Sequence, residues 1–456
     1  MTHPVVMKFG GTSVEDAAAV ERVVGIVRAA LEQRPVVVVS AMARVTDALL
    51  AAAARAGQDD AAGALADLDP VLARYGDAAR RLLPDADRKR YQQTITATRA
   101  ELAADLARVP RDPAAPDAIA AQGERLSAAL VAAALAARAV PAREVDARRC
   151  ILTDTRPGKA EPLISETDVA TRAALQPLIA AGTVPVLGGY MGGTPEGVTT
   201  TLGRGGSDYS AALVGAALGA EEIQIWTDVS GVLTADPKVA PAARTITRLS
   251  FAEASELAYF GARVLHPKTI LPAIRHGIPV RIRNSRAPDD GGGTLVTAES
   301  EVVPRTVKAI AYKTGVSIVS VTSTRMLGAY GFLRALFEVF ERHRTVVDLV
   351  ATSEVSVSLS VDDTTALPGI LKDLAALGEP AVETGRAIIC IVGEGMRGTP
   401  GIAARIFATI RDINVSLISL GASRINITFV VEESRAAEAV RRLHAALFEA
   451  ALEPVS

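Results

Sequence analysis

The chain has 456 residues, with 49 Lys+Arg against 51 Asp+Glu; at a net charge of −2, its composition offers no polyanion-binding surface. Hydrophobic residues make up 49% and charged residues 22%, the balance of a globular protein of two or three domains. Two cysteines, Cys150 and Cys390, cannot build a disulfide framework, and no apolar leader opens the chain; a cytoplasmic protein without nucleic-acid or membrane partners is expected.

In chain order, Val5 to Phe9 reads as a buried strand carrying one lysine, Lys8, followed by Gly10-Gly11-Thr12-Ser13 and a helix from Val14 to Gln33. A lysine at the tip of a buried strand is costly unless something anionic sits beside it. Gly10 and Gly11 allow close backbone approach and positive φ, and Thr12 or Ser13 is expected to cap the helix, with Glu15 and Asp16 in its first turn. Free amides at a helix start favour an anion, so the arrangement reads as a phosphate cradle, or else as a tight turn with a solvated lysine. It is not a Walker A loop, because the lysine precedes the glycines.

Val36 to Ser40 reads as a second buried strand. From about 47 to 138 the chain turns to Ala/Leu/Arg/Asp-rich helix formers, a helical excursion from the sheet. Ala173 to Pro195 is uncharged, but Pro177, Gly182 and Pro185 mark it as loop and strand, not a membrane span. Further strands are expected at Val184–Leu187, Glu222–Trp226 and Pro279–Ile282; their alternation with helical patterns argues for an α/β fold with a mainly parallel sheet.

A second glycine loop, Thr199-Thr-Thr-Leu-Gly-Arg-Gly-Gly-Ser-Asp208, leads into the helical run Tyr209 to Leu218. Arg204 can clamp a carboxylate or phosphate in bidentate fashion, and Ser207 and Asp208 stand at the helix start. The simpler alternative is a turn with Asp208 as its cap. Two cationic glycine loops, each feeding a helix, favour a shared anionic ligand. Trp226-Thr227-Asp228 ends a strand ahead of the Asp236-Pro237 turn, the strand end at which open α/β sheets bind ligands. Asp289 to Gly293 is a turn-rich stretch near a domain boundary.

The last third repeats itself. The segments starting at Gly331 and Gly401, seventy residues apart, align without a gap, and each reads helix, strand, turn, strand. Gly393-Glu-Gly-Met-Arg-Gly398 matches a dinucleotide fingerprint literally, but the next strand, Val415 to Leu420, ends without the acid that fingerprint needs. No histidine or metal-ligand spacing points to a metal centre.

Lys8-Phe-Gly-Gly-Thr-Ser13, Thr200-Thr-Leu-Gly-Arg-Gly-Gly-Ser-Asp208, Trp226-Thr-Asp228 and Gly261-Ala-Arg-Val-Leu-His-Pro267 together resemble the aspartate kinases, over essentially the whole chain. The resemblance implies an αβα sandwich of the amino-acid kinase (carbamate kinase-like) type over 1–290. Two C-terminal ferredoxin-like ACT modules follow, at 314–386 and 387–456, the second completed by strand 307–312. It implies transfer of the γ-phosphoryl of ATP, with Mg2+, to the side-chain carboxylate of L-aspartate, the first step toward lysine, threonine and methionine. A carboxylate nucleophile is already ionised at neutral pH, so catalysis reduces to positioning and charge neutralisation.

Lys8 would then hold the moving phosphoryl and Asp208 would orient Lys8. By resemblance, Arg204 would grip the α-carboxylate of aspartate and Glu124 its ammonium, with Ser40, Thr46, Gly205, Gly206 and Ser207 completing the pocket. Gly10, Gly11, Thr12, Ser13, Thr227, Asp228, Leu233, Asp236, Pro237 and Arg263 would line the ATP site. Leu233, Lys238 and Arg263 depart from the tyrosine, arginine and lysine usual there. Met326, Gly331, Phe332, Leu333, Val347, Asp348, Ser353 and Glu354 resemble the effector pocket of lysine-inhibited members, with Ala329 and Val346 where small polar residues are usual. Allosteric feedback by an amino acid, L-lysine foremost, through a homodimer of these modules that can pair into a tetramer, is the corresponding expectation. The rival readings are another kinase of this fold and a catalytically silent amino-acid sensor.

Overall fold

The apolar runs of the first half become the strands of one sheet. In the computed structural model, which describes residues 3–261, 267–299 and 307–449, the strands are β1 (Val5–Phe9), β2 (Val36–Val39), β3 (Ala142–Val145) and β4 (Val184–Gly188). They continue with a small hairpin of β5 (Met191–Gly193) and β6 (Thr199–Thr201), then β7 (Glu222–Thr227), β8 (Arg248–Ser250), β9 (Val280–Asn284) and β10 (Thr294–Thr297). Eight of them form a sheet in the order β3-β4-β2-β1-β7-β9-β10-β8. Neighbours are parallel throughout except β9 and β10. β1 and β2 lie at its centre with every residue buried, as strands covered on both faces must be. The sheet runs past residue 290, because β10 belongs to it.

Helices α1 (Ala17–Ala29), α2 (Val45–Ala56), α3 (Ala61–Leu82), α4 (Asp85–Arg108), α5 (Ala115–Ala120) and α6 (Gln122–Ala137) share one core with Val5, Met7 and Phe9. The excursion is therefore no separate body. α6 lies on the sheet, and α3 and α4 cover it. The stretch Ala115–Ala137, α5 and α6 together, is apolar and long enough to cross a membrane, yet 78% of its 18-residue apolar window is buried inside this fold, as befits core helices. α7 (Ile164–Ala180) and α8 (Gly206–Leu218) cover the opposite face, which carries Lys8. α7 runs through Pro177 to Ala180, correcting the loop expected from Ala173: packing of Thr167, Thr171 and Leu175 overrides one missing donor near the helix end.

The chain divides into two compact units: residues up to Val232 with Thr247–Phe251 and 264–299, and Leu233–Ile246 with Ala252–Arg263 and the C-terminal part. In the second, β11 (Ala309–Thr322), β12 (Val350–Thr352), β13 (Ser356–Val361), β14 (Glu379–Val392), β15 (Val415–Leu420) and β16 (Asn426–Glu432) form one antiparallel sheet, ordered β12-β13-β11-β14-β16-β15. Each repeat contributes a helix (Phe332–Arg342 or Ile402–Thr409) and a hairpin. The two long strands serve both repeats: Ala309–Lys313 pairs with Ile388–Val392, and Val316–Thr322 with Glu379–Arg386. Gly393 to Gly398 follows β14 as a short turn, with Met396 buried in the core beside Ile391 and Ile427, a packing role and no dinucleotide loop.

Candidate active site

Lys8 sits in the middle of the sheet, flanked in register by Val38 and Ile225, and is 9% exposed. Its ammonium lies 2.6 Å from Oδ1 of Asp208 in the first turn of α8. Asp208 is not the cap of that helix. The cap is Gly205, whose φ of 74° turns the chain so that Asp208 faces the sheet. α8 can approach because Gly189 follows β4: a Cβ there would stand 2.8 Å from Ser207.

The first glycine loop differs from expectation. Gly10 has φ −70° and Gly11–Ser13 form a single 3-10 turn, so neither Gly10 nor Gly11 is needed for positive φ. Their use is space: a Cβ on Gly10 would stand 3.6 Å from the Lys8 ammonium, and one on Gly11 3.0 Å from the Ala41 carbonyl. The α1 cap is Asp16, which accepts from the Ala19 amide at 2.8 Å, correcting Thr12 or Ser13. Ser13 is buried, with its hydroxyl 2.7 Å from that of Ser285 and 3.3 Å from the Trp226 carbonyl, which removes its side chain from the expected ligand set. Thr12 stands half-buried in the same turn.

A cleft of about 910 Å³ opens above this floor. Lys8, Gly11, Ser40, Thr46, Glu124, Arg204, Gly205, Gly206, Ser207 and Asp208 all line it, so the two cationic loops face one space. Glu124 starts α6 and is 3% exposed. Burial pushes its carboxyl up to about 8, against hydrogen bonds from the Ala41 and Glu124 amides and from Thr46. Its Oε2 is buried without a hydrogen-bond partner among the described residues. Such an atom is ready to receive a donor from a ligand.

Several residues that build the cleft carry no local signal. Tyr75 of α3 is fully buried; its hydroxyl accepts from the Met42 amide at 3.2 Å and donates to the Gly123 carbonyl at 2.9 Å, fixing the loop after β2 to the start of α6. Asp117 accepts from the Gly158 amide at 3.0 Å and from the Thr201 amide and hydroxyl at 3.1 and 2.9 Å, although burial raises its carboxyl pKa. Arg44 and Lys159 add cations to the rim, and Arg44 holds a left-handed φ of 69°.

Of the expected nucleotide set, Thr227 and Asp228 stand at the end of β7, beside β1, with the Thr227 hydroxyl 3.2 Å from Asp228. Leu233, Asp236 and Pro237 belong to the second unit, on a segment where Ala235 and Ala240 join the core of the second repeat. Arg263 lies outside the described residues.

In the first repeat, Gly331 adopts φ 83° before the helix Phe332–Arg342, and Met326, Phe332 and Val347 pack on the repeat's core while Leu333, Ser353 and Glu354 are exposed. The Ser353 hydroxyl lies 2.8 Å from that of Ser356. Asp348 is not open as expected. Its side chain is 3% exposed, the Lys313 ammonium lies 3.0 Å away, and the Tyr259 hydroxyl donates to it at 2.5 Å.

Residues 3–284 match the amino acid kinase family and residues 389–447 the ACT domain. The chain is 38% identical to lysine-sensitive aspartokinase 3 of Escherichia coli, over 98% of its own length and 100% of that protein's. It superposes on the crystal structure of E. coli aspartokinase III with aspartate and ADP (R-state) with a TM-score of 0.82 and 37% identity, covering 98% and 100% of the two chains. For the lysine and aspartate complex (T-state) the TM-score is 0.80 at 37% identity, covering 98% and 99%.

Proposed function

The chain belongs to the aspartokinase family, and from the geometry of its cleft we propose how it moves the terminal phosphoryl group of ATP onto L-aspartate. One observation carries the reading: the Lys8–Asp208 ion pair on the floor of a cleft that also holds Glu124 and Arg204. Arg204 takes the α-carboxylate of aspartate and Glu124 its ammonium, which leaves the side-chain carboxylate directed at Lys8. A carboxylate oxygen attacks the γ-phosphorus, the new O–P bond forms, and the bond to the departing ADP oxygen breaks. No proton moves in this step, so no general base is needed. Lys8 neutralises charge on the phosphoryl oxygens, and Asp208 keeps the ammonium aimed. The space above Gly10 and Gly11 fits a phosphate group, with Thr227 and Asp228 at the adjacent strand end.

Magnesium fits this site through the nucleotide. Among the described residues no group of three His, Cys, Asp or Glu side chains gathers, so phosphate oxygens and water would hold the ion. When bound, it would neutralise charge on the triphosphate.

Leu233, Asp236, Pro237 and Arg263 are assigned to the nucleotide by family resemblance alone. The first repeat takes an amino-acid effector, L-lysine foremost, at the residues from Met326 to Glu354. The exposed Leu327, Tyr330, Leu333 and Val346 on that repeat support a homodimer formed through these modules. The free, buried Cys150 and Cys390 support a cytoplasmic setting.

Trapping the acyl phosphate with hydroxylamine, with and without L-lysine, tests the function. Hydroxamate that depends on both ATP and L-aspartate is expected; binding of both without turnover would instead favour a silent sensor.

A further inference from the structure

An internal ammonium, that of Lys313, already holds the carboxylate of Asp348. Asp348 carries a carboxylate on a side chain that is 3% exposed, and a charge so far removed from water needs a partner. Its partners are the Lys313 ammonium at 3.0 Å and the Tyr259 hydroxyl at 2.5 Å. The same ammonium sits 5.8 Å from the centre of the Tyr259 ring, so the three side chains form one cluster.

Lys313 has somewhere else to go. Its ammonium also lies 2.6 Å from Asp362, whose side chain is 43% exposed at the rim. A shift toward Asp362 and water would free Asp348 without stranding a buried charge on Lys313. The backbone favours such a shift: the β11–β14 register slips between Lys313 and Val316, and Gly315 in that gap has φ 73°. Irregularities of this kind re-aim side chains at sheet edges and binding sites.

We propose that Lys313 is a built-in occupant of the effector pocket, holding Asp348 until the amine of a bound amino acid displaces it toward Asp362. Tyr259 registers the exchange. It ends the helix Phe251–Tyr259, which continues directly from β8 of the first sheet, so a ligand that takes Asp348 from Tyr259 releases the end of a helix covalently joined to that sheet. The device favours effectors that carry an amine able to replace the one on Lys313. The proposal rests on the reading of Asp348 as an effector residue.

The test is calorimetric titration of L-lysine into the full chain, for the wild type, Lys313→Gln, Tyr259→Phe and Asp348→Ala, alongside inhibition curves. If the internal ammonium fills the site most of the time, Lys313→Gln should bind L-lysine about threefold to tenfold tighter and be inhibited at correspondingly lower concentration. Tyr259→Phe, which keeps the ring, should shift affinity in the same direction and stands in for Lys313→Gln should that variant fail to fold. Affinity unchanged or weaker in these variants, with Asp348→Ala losing binding, overturns the internal occupant and leaves the effector site standing. Undiminished binding in Asp348→Ala, or no binding in any protein, removes the effector site and the proposal with it.

Discussion

The Lys8 ammonium and the Asp208 carboxylate meet at 2.6 Å across the gap between β1 and the first turn of α8, with side chains 11% and 15% exposed. Water competes little with so enclosed a pair, so its geometry is fixed before substrate arrives. Asp208→Ala should lower kcat by about a hundredfold or more, the scale of losing one preorganised charge contact, while KM for aspartate changes little. Lys8→Ala should do at least as much. A coupled ADP assay measures both; near-normal kcat in either variant refutes the assignment.

Gly10 separates space from backbone conformation. Its φ of −70° and ψ of 170° suit any residue, and a Cβ would meet only ordinary contacts, 3.5 Å to the Trp226 carbonyl and 3.6 Å to the Lys8 ammonium. Gly10→Ala should therefore fold with a stability within about 0.5 kcal/mol of the wild type. The methyl nonetheless enters the space assigned to the phosphate, and KM for ATP should rise roughly tenfold or more. Denaturation midpoints and ATP saturation curves separate the two effects. Gly11→Ala should lose stability as well, because its Cβ would press to 3.0 Å from the Ala41 carbonyl.

These contrasts mark what could be read from the amino acids alone. Strands of a covered parallel sheet are continuous valine and isoleucine runs, so β1, β2, β4 and β7 were legible, and Lys8 stood out as the anomaly within one of them. Arg204 was legible as the cation of a glycine loop, whereas Glu124 became a candidate only through family resemblance, since nothing beside it signals its role. Tyr75 and Asp117 were invisible because their partners are backbone groups 48 and 84 residues away. The pairing of Lys313 with Asp348 spans 35 residues, and nothing in the sequence beside Lys313 points to it. The sequence left two uses open for Gly10, positive φ and close approach, and could not choose clearance alone, because a glycine in a loop looks the same in either case.

Asp117 gives that hidden layer a measurable role. It accepts from two amides and a hydroxyl on Gly158 and Thr201, both on the cleft wall, while itself 5% exposed. Asp117→Ala leaves the buried Thr201 amide and hydroxyl without that partner, at a cost of about 2 kcal/mol. Because the loop it holds carries Lys159, KM for aspartate should rise severalfold more than KM for ATP. Equal effects on both substrates would show Asp117 to be a general scaffold residue.

Glu124 couples aspartate binding to pH. Burial places its carboxyl at about 8, against an ordinary 4.5, so the empty cleft holds a proton there at neutral pH. The unfolded chain gives up that proton near 4.5, whereas the folded protein keeps it until about 8. The folded state thus binds more protons across this window, and this group's contribution to stability falls as pH rises through it. The ammonium of aspartate favours the ionised form, so binding below about 8 must expel the proton. KM for aspartate should fall by up to about tenfold per pH unit on approaching that value and then level off. Glu124→Gln should flatten the profile at the weak-binding level, and in the absence of aspartate it should melt higher than the wild type at alkaline pH. A wild-type KM that is flat from pH 6 to 8 would place the ammonium of aspartate elsewhere in the cleft.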